Sequence, residues 1–488
     1  MTRPVAVVGL ELHVQLITSR KLFTPVEVGS VDLKQVGPNC IISSYCFGIP
    51  GELPVLQPEA VDAGLRLALA LEAEISPRSV FIRKHYTYPD LPKGYQITQE
   101  PPLALNGTLR WEGGEVRVQR VHLEEDAGRH KLEEGRVLVD YNRAGVPLAE
   151  VVTAPELSSG AEAAGAYRGL HTLAVTLGLN EGRMEEGELR CDANVSIRDS
   201  STGFAGPRCE LKNLNSFRFV EDAVSAEIDR QLDLHRRAVA FRAETRGWDR
   251  KARKTFALRA KETALEYRFL PEPDLPALRV GSSRLRRLRA ELPELPEQRV
   301  ARWRALSMPK ETARTLARLP VWARLVDEVG AGSPVVILEA ARLFKSVGLG
   351  LAQRVPEVGS KLSLRPEDIR SLCRMRADNQ ITAAIQATVL ERLAMQKDSL
   401  SELLAELQPI QDPEELGRLI RIVVARHPDT WTEFSNGKVK LESFFVGQVM
   451  GLSHGRASPQ EVKRFIREQA QASTSFERTD EGITPSKP

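Results

Sequence analysis

The chain has 488 residues, 42% hydrophobic and 27% charged, an ordinary balance for soluble globular domains that predicts about two to four of them. No apolar run approaches the length of a membrane span, and "MTRPVAVVG" leads straight into a strand pattern with no signal-peptide profile. A net charge of +3 is too small to imply a polyanionic partner by itself, and five scattered cysteines suit a reducing cytoplasm better than a disulfide scaffold.

Residues 5–16, "VAVVGLELHVQL", form the first predicted strand. Side chains alternate across a strand, so residues i and i+2 share a face roughly 6–7 Å apart. Ala6, Val8, Leu10, Leu12, Val14 and Leu16 then make a core face, and Glu11 and His13 stand together on the other. "PEAVDAGLRLALALEA" and "SSGAEAAGAYRGLHTLAVTLGL" carry apolar residues at helical spacing, and a third helix is expected after Asn215 as N-cap. Short β-rich runs and Gly/Pro turns such as "GIPGELP" fill the rest of residues 1–285. The prediction is an α+β fold with a mostly antiparallel sheet. Residues 286–407 read as an all-helical domain and 408–475 as a small helical tail domain, while 476–488 are polar enough to be expected disordered.

The opening pattern recurs. In "ELRCDANVSIR", Arg190, Asp192, Asn194 and Ser196 oppose an apolar face, and in "RCELKNL" Glu210 and Lys212 oppose Cys209 and Leu211. "VRVQRVHLEEDAG" brings a strand to Glu124, Glu125 and Asp126, and "GVPLAEVV" sets Glu150 in an apolar strand. For any one strand, a polar face meeting water is the simpler reading. Several strands ending in carboxylates, one with a histidine, suggest an oxygen-rich site for Mg²⁺ and phosphate, provided the strands are neighbours. The chain has no P-loop, no H-E-x-x-H, no G-x-S-x-G and no dinucleotide fingerprint. Phosphoryl chemistry would therefore use the acidic sheet.

The blocks "GLELHVQL", "YPDLPKGYQITQ", "HLEEDAG", "DYNRAGVPLAEVVTAPEL", "ELRCDANVSIR", "ELKNLNSFR", "YRFLPEPDLP" and "FFVGQVMGLSHGRASPQ" occur in an order that resembles the B subunit of the tRNA-dependent aspartyl/glutamyl amidotransferases. The resemblance spans nearly the whole chain. It implies ATP- and Mg²⁺-dependent amidation of misacylated Asp-tRNA(Asn) or Glu-tRNA(Gln): the side-chain carboxylate is phosphorylated, then ammonia displaces phosphate. It also implies Glu11, His13, Glu124, Glu150, Asp192 and Glu210 as metal-site residues. Lys93 and Lys212 would steady phosphate oxygens, with Lys93 alternatively a turn residue; Glu125 could replace Glu124, and His122 is read as structural. No amidase nucleophile context is found. The resemblance therefore implies a heterotrimer, in which an amidase (glutaminase) partner supplies ammonia and a small third partner braces the pair. Many relatives hold zinc after "KLF" with two cysteine pairs; here only Cys46 remains at those places, and no zinc is expected.

Clustered arginines at 284–304 could bind phosphate or form a solvated helical face balanced by Glu291, Glu294 and Glu297. The tail, with Gly437, Lys438, Lys440, Gly447, Gly455 and Arg456, resembles the family's tRNA-contacting domain; glycines there could also be ordinary helix caps. The rival functions are a non-catalytic tRNA-binding scaffold and a metal-dependent nucleotide hydrolase.

Overall fold

A computed structural model of the chain describes residues 4–28, 36–212, 214–260, 267–354, 364–395, 399–410, 412–453 and 455–480. Two units divide it, Met1–Gln298 and Arg299–Pro488.

The first unit is built on a ten-stranded sheet. Its strands are β1 (Val5–Gln15), β2 (Glu74–Ile75), β3 (Ala104–Trp111), β4 (Gly114–Glu125), β5 (Pro147–Thr153), β6 (Leu189–Asp199), β7 (Phe204–Ala205), β8 (Cys209–Leu211), β9 (Glu244–Asp249) and β10 (Lys254–Ala260). Their order is β10-β9-β8-β6-β1-β5-β4-β3-β2, with β7 on β6. Only β8 and β9 run parallel; the other pairs are antiparallel, as predicted. Alternation dictates the faces. Val8, Leu10, Leu12 and Val14 of β1 are at most 1% exposed, while Glu11 and His13 on the opposite face are half-buried. Each such leucine contributes roughly 2 kcal/mol by leaving water. A one-residue slip would send all of them to the polar face, so this core fixes the register.

Three helices belong to the same apolar core. α1 (Pro58–Ala70) starts with proline in its first turn, and it buries Val61, Leu65 and Leu67. α2 (Gly160–Thr176) is capped by Ser159, whose Oγ accepts from Glu162 N at 3.2 Å. A Cβ on Gly165 would stand 2.5 Å from Trp111 Nε1, so only glycine lets the indole of β3 approach this helix. α3 (Phe217–Arg236) is capped by Ser216, which accepts from Phe219 N at 3.1 Å. The cap is therefore one residue later than the predicted Asn215; both residue types suit the position.

The division by packing falls at 298/299, later than the expected break at 285/286. Helix α4 (Ser282–Glu291) belongs to the first unit: Leu288 is 1% exposed, and Leu285, Leu292 and Leu295 pack against the same core. Arg284 Nε and Arg287 Nη2 reach Asp62 of α1 at 2.5 and 2.8 Å. In the second unit, Arg299 and Arg302 meet Asp327 at 3.2 and 2.7 Å, and Trp303 Nε1 donates to the same carboxylate. These arginines pair with aspartates of neighbouring helices, an arrangement neither expectation described, and Arg287 also meets the expected Glu291 at 3.1 Å.

The described residues of the second unit contain helices and no strand. They form one core from Trp303 to Leu403 and another from Leu416 to Ile466. The last helix, Pro459–Asp480, runs into the segment expected to be disordered; residues 481–488 of that expectation lie outside the described ones. Helical continuation follows from a stretch without proline or glycine up to Asp480. No helix among the described residues is long and apolar enough to cross a membrane.

Replacing Leu288 by alanine should lower the stability of the first unit by about 3 kcal/mol, the usual cost of a buried leucine cavity. Urea unfolding of the full chain followed by tryptophan fluorescence reads this, and an unchanged midpoint would place α4 outside that core.

Candidate active site

The register of four strands lines up the polar face. His13 lies opposite Arg190 on one side and Glu150 on the other, and Glu150 lies opposite His122. Neighbouring strands are about 4.8 Å apart, so these four side chains form one row across β6, β1, β5 and β4. The next row carries Asp192 opposite Glu11; Glu210 of β8 faces Asn194, and Glu124 stands two residues from His122 on the same face of β4. Glu11, His13, Glu124, Glu150, Asp192, Glu210 and Lys212 all line one cavity of about 810 Å³.

At one end, ligand atoms of His122, Glu124 and Glu150 lie within 4.8 Å of one another. His122 Nδ1 donates to Glu150 Oε2 at 3.2 Å, while its Nε2 is buried and has no hydrogen-bond partner. The expectation of a merely structural His122 is therefore corrected: its ring belongs to the acidic cluster. Burial, then the charge of Glu150, pushes the Glu124 carboxyl up. Burial also acts on Glu150, but the hydrogen bond from His122 and the charges of His13 and Lys84 outweigh it and hold its carboxyl below the usual range. One carboxylate stays ionised and its neighbour is biased toward the proton.

The other end has its own cation. Lys212 Nζ lies 2.9 Å from Asp192 Oδ2 and 3.4 Å from Glu210 Oε1. Burial would lower its pKa, but Asp192, Glu210 and Glu11 together raise it. Asn194 Nδ2 donates to Glu11 Oε1 at 2.9 Å, and Thr245 Oγ1 to Glu210 Oε2 at 3.0 Å. Between the ends, Arg190 Nη2 donates to Asp126 Oδ2 at 2.5 Å. The Nε atoms of Arg190 and Arg120 are buried without partners. Lys84 and Arg208 also line the cavity. Sequence reasoning missed these cations as site residues, though Arg190 stands two residues from Asp192 on one strand face, as His122 stands from Glu124.

The choice between Glu124 and Glu125 follows from the small sheet of Phe81–His85, Tyr95–Gln99 and Leu270–Pro271. Gln96 Nε2 donates to Glu124 Oε2 at 3.2 Å, and Glu124 faces the cavity. Glu125 points to the opposite side, where it accepts from Ile97 N at 3.1 Å and pairs with Lys93. Lys93 also donates to the Tyr45 hydroxyl at 2.8 Å. It does not line the cavity, so the expected phosphate role is corrected: the buried Glu125 claims its ammonium. In the lobe where the resemblance would place zinc, the Lys21 ammonium donates to the carbonyls of Ile41 and Ala144 at 2.6 and 2.7 Å and lies 3.6 Å from Cys46 Sγ. One buried thiol beside a lysine does not fit tetrahedral zinc.

The tail residues are spread over the second unit. Lys438 pairs with Glu433 at 3.0 Å, Lys440 is exposed in a short turn, and Gly447 faces open space. Gly455 (φ +76°) leaves room for Ala384, whose Cβ would be 2.5 Å from an added methyl group, and Arg456 Nε donates to Gln408 O at 2.9 Å. Gly455 and Arg456 thus have packing roles of their own.

Lys93→Met should destabilise the first unit by roughly 3 kcal/mol, because it leaves a buried carboxylate unpaired. Urea unfolding of the full chain reads this, and an unchanged midpoint would mean that Glu125 does not depend on the Lys93 ammonium.

Residues 6–286 match the family model described as the GatB/GatE catalytic domain, and residues 345–469 match the GatB domain. The chain is 38% identical over 474 residues to the B subunit of the aspartyl/glutamyl-tRNA(Asn/Gln) amidotransferase of a Thermus thermophilus strain, covering 95% of this chain and 98% of that one. The corresponding B subunit of Nitrosococcus oceani is 39% identical over 94% of this chain and 98% of its own. The chloroplastic/mitochondrial B subunit of the glutamyl-tRNA(Gln) amidotransferase of Oryza sativa is 36% identical over 96% and 88%. With two matching domains and relatives 36–39% identical over nearly the whole chain, the chain belongs to the family of tRNA-dependent amidotransferase B subunits.

Proposed function

We propose that this chain catalyses ATP-dependent amidation of misacylated Asp-tRNA(Asn) or Glu-tRNA(Gln), and that the acidic cavity of the first unit is where it happens. The observation that carries the reading is the convergence of five strands' carboxylates, two histidines and five lysine or arginine side chains around a single cavity.

The residues fit a divalent cation at His122, Glu124 and Glu150, with His13 beside them: the donors are close and oxygen-rich, and the His122 ring keeps an unpartnered Nε2. A cation bound there with ATP would neutralise phosphate charge. Lys212, Lys84, Arg190 and Arg208 can hold phosphate oxygens, by point charge from the lysines and by planar forks from the arginines. Phosphoryl transfer depends mostly on such positioning. A side-chain carboxylate oxygen of the aminoacyl group attacks the γ-phosphorus, and the bond to the ADP oxygen breaks. Ammonia then attacks the acyl carbon, phosphate departs with the bonding electrons, and the extra proton leaves with it. Hydroxide is a poor leaving group, which is why the carboxylate must first be phosphorylated. The ammonia is supplied by a partner amidase, with a small third chain completing the complex. The tail beyond Gln408 holds tRNA through phosphate contacts that position it.

In the reconstituted complex, γ-labelled ATP should be consumed only when misacylated tRNA is present. Consumption without tRNA would indicate a hydrolase, and none under any condition a scaffold. His13→Ala or Asp192→Asn should lower amidation about 100-fold or more, with the partner's glutamine hydrolysis still detectable; wild-type amidation by either variant overturns the site.

Truncation near Gln408 should weaken tRNA binding and flatten its salt dependence in filter-binding titrations at two ionic strengths. Equal affinities and equal slopes would remove the tail from the tRNA interface.

A further inference from the structure

The cavity continues past its charged floor into a wall of aromatic rings. Tyr86, Tyr267 and Phe269 line it together with Lys84 and Ile82. Ring centroids stand 6.3 Å apart for Tyr86 and Tyr267, 5.9 Å for Tyr267 and Phe269, and 5.8 Å for Tyr86 and Tyr88. Lys84 Nζ lies 4.9 Å over the Tyr267 ring. Rings in this number are usually core, but Tyr88 is 41% and Phe269 45% exposed. Tyr86 also borders a second groove of about 440 Å³, with His85, Thr87, Gly94, Arg268 and Leu270. Arg268, between the two outer rings in sequence, has φ +42°, a left-handed conformation that an L side chain rarely adopts. The wall of three rings thus adjoins the acidic centre, and Tyr86 joins it to the groove that holds Arg268.

We infer that this wall is a track for the unpaired 3′ nucleotides of the aminoacyl-tRNA, whose bases stack on Tyr86, Tyr267 and Phe269 while Lys84 and Arg268 face the phosphodiester chain. The inference rests on the reading of the cavity as an aminoacyl-tRNA amidation centre. In that substrate the reacting carboxylate hangs from the terminal nucleoside of a single strand, so that strand must enter the cavity with it. Single-stranded nucleic acid is gripped by basic grooves carrying aromatic platforms, because every base has a stacking face. The adenine of ATP would need one platform. Three rings on one wall of the cavity, with Tyr86 shared by a second groove, suit successive bases instead.

The test uses the full chain in its assembled complex. The probes are a fluorescent acceptor-stem minihelix with its unpaired 3′ nucleotides and the same minihelix without them. Wild type should bind the complete probe about ten-fold or more tighter, the usual worth of a stacked base or two. Phe269→Ala and Tyr267→Ala should each lose most of that preference, and Tyr267→Phe, which keeps the ring, should retain it. Phe269 is exposed enough for its removal to spare the fold, and matched thermal unfolding checks this. Equal binding of the two probes by wild type overturns the track, as does a raised KM for ATP in these variants with probe binding unchanged. Probe binding needs neither ATP nor ammonia, so failure here is distinct from failure of the tRNA-dependent ATP assay.

Discussion

Glu124 is 4% exposed, and its ligand atoms and those of Glu150 share a cluster 4.8 Å across. Two carboxylates cannot both stay ionised at such depth without cations, because burial and mutual repulsion each cost several kcal/mol. Much of the local architecture follows from meeting that demand. His122 donates to Glu150, His13 stands opposite it, and Lys84 adds charge from the satellite sheet. The demand is only partly met. Glu124 remains biased toward the proton and His122 Nε2 has no partner, so a bound cation would relieve both. Other buried acids of the same sheet are fully answered: Glu125 has Lys93, and Asp126 has Arg190 and Arg143.

Holding that arrangement requires a sheet whose register cannot drift. The reverse side of β1, β5 and β6 is apolar and belongs to the core it shares with α1, α2 and α3. A slip of one residue would bury Glu11, His13 and Glu150 in that core and expose Leu10, Leu12 and Val151. The penalty far exceeds the marginal stability of a domain. Stability and chemistry are therefore specified by the same alternation, one on each face.

That alternation is why the acidic residues could be read from the sequence at all. Period two along each strand places Glu11 with His13 and Asp192 with Asn194. What no single strand reveals is which strands are neighbours, so the row Arg190–His13–Glu150–His122 becomes visible only through the pairing. The errors have the same origin. Lys93 and Glu125 looked like site residues because they border site motifs, yet they pair with each other across elements. Helical composition begins near the expected boundary at 285, whereas Leu288 is buried with residues far earlier in the chain. Tertiary partners, rather than local pattern, decided each case.

The two ends of the cavity also differ in a way that orders the ligands. Asp192 and Glu210 already hold the Lys212 ammonium, so a second cation there would have to displace or repel it. The end of His122, Glu124 and Glu150 has no lysine in hydrogen-bond contact among the described residues, and it keeps an open nitrogen. On the proposed reading, the histidine end takes the divalent cation and the lysine end meets phosphate. A phosphate oxygen arriving at Lys212 would compete with Asp192 for the ammonium. The released carboxylate would then be free to accept a proton or a cation as charge develops, so Asp192 acts through Lys212 before it acts on any substrate atom.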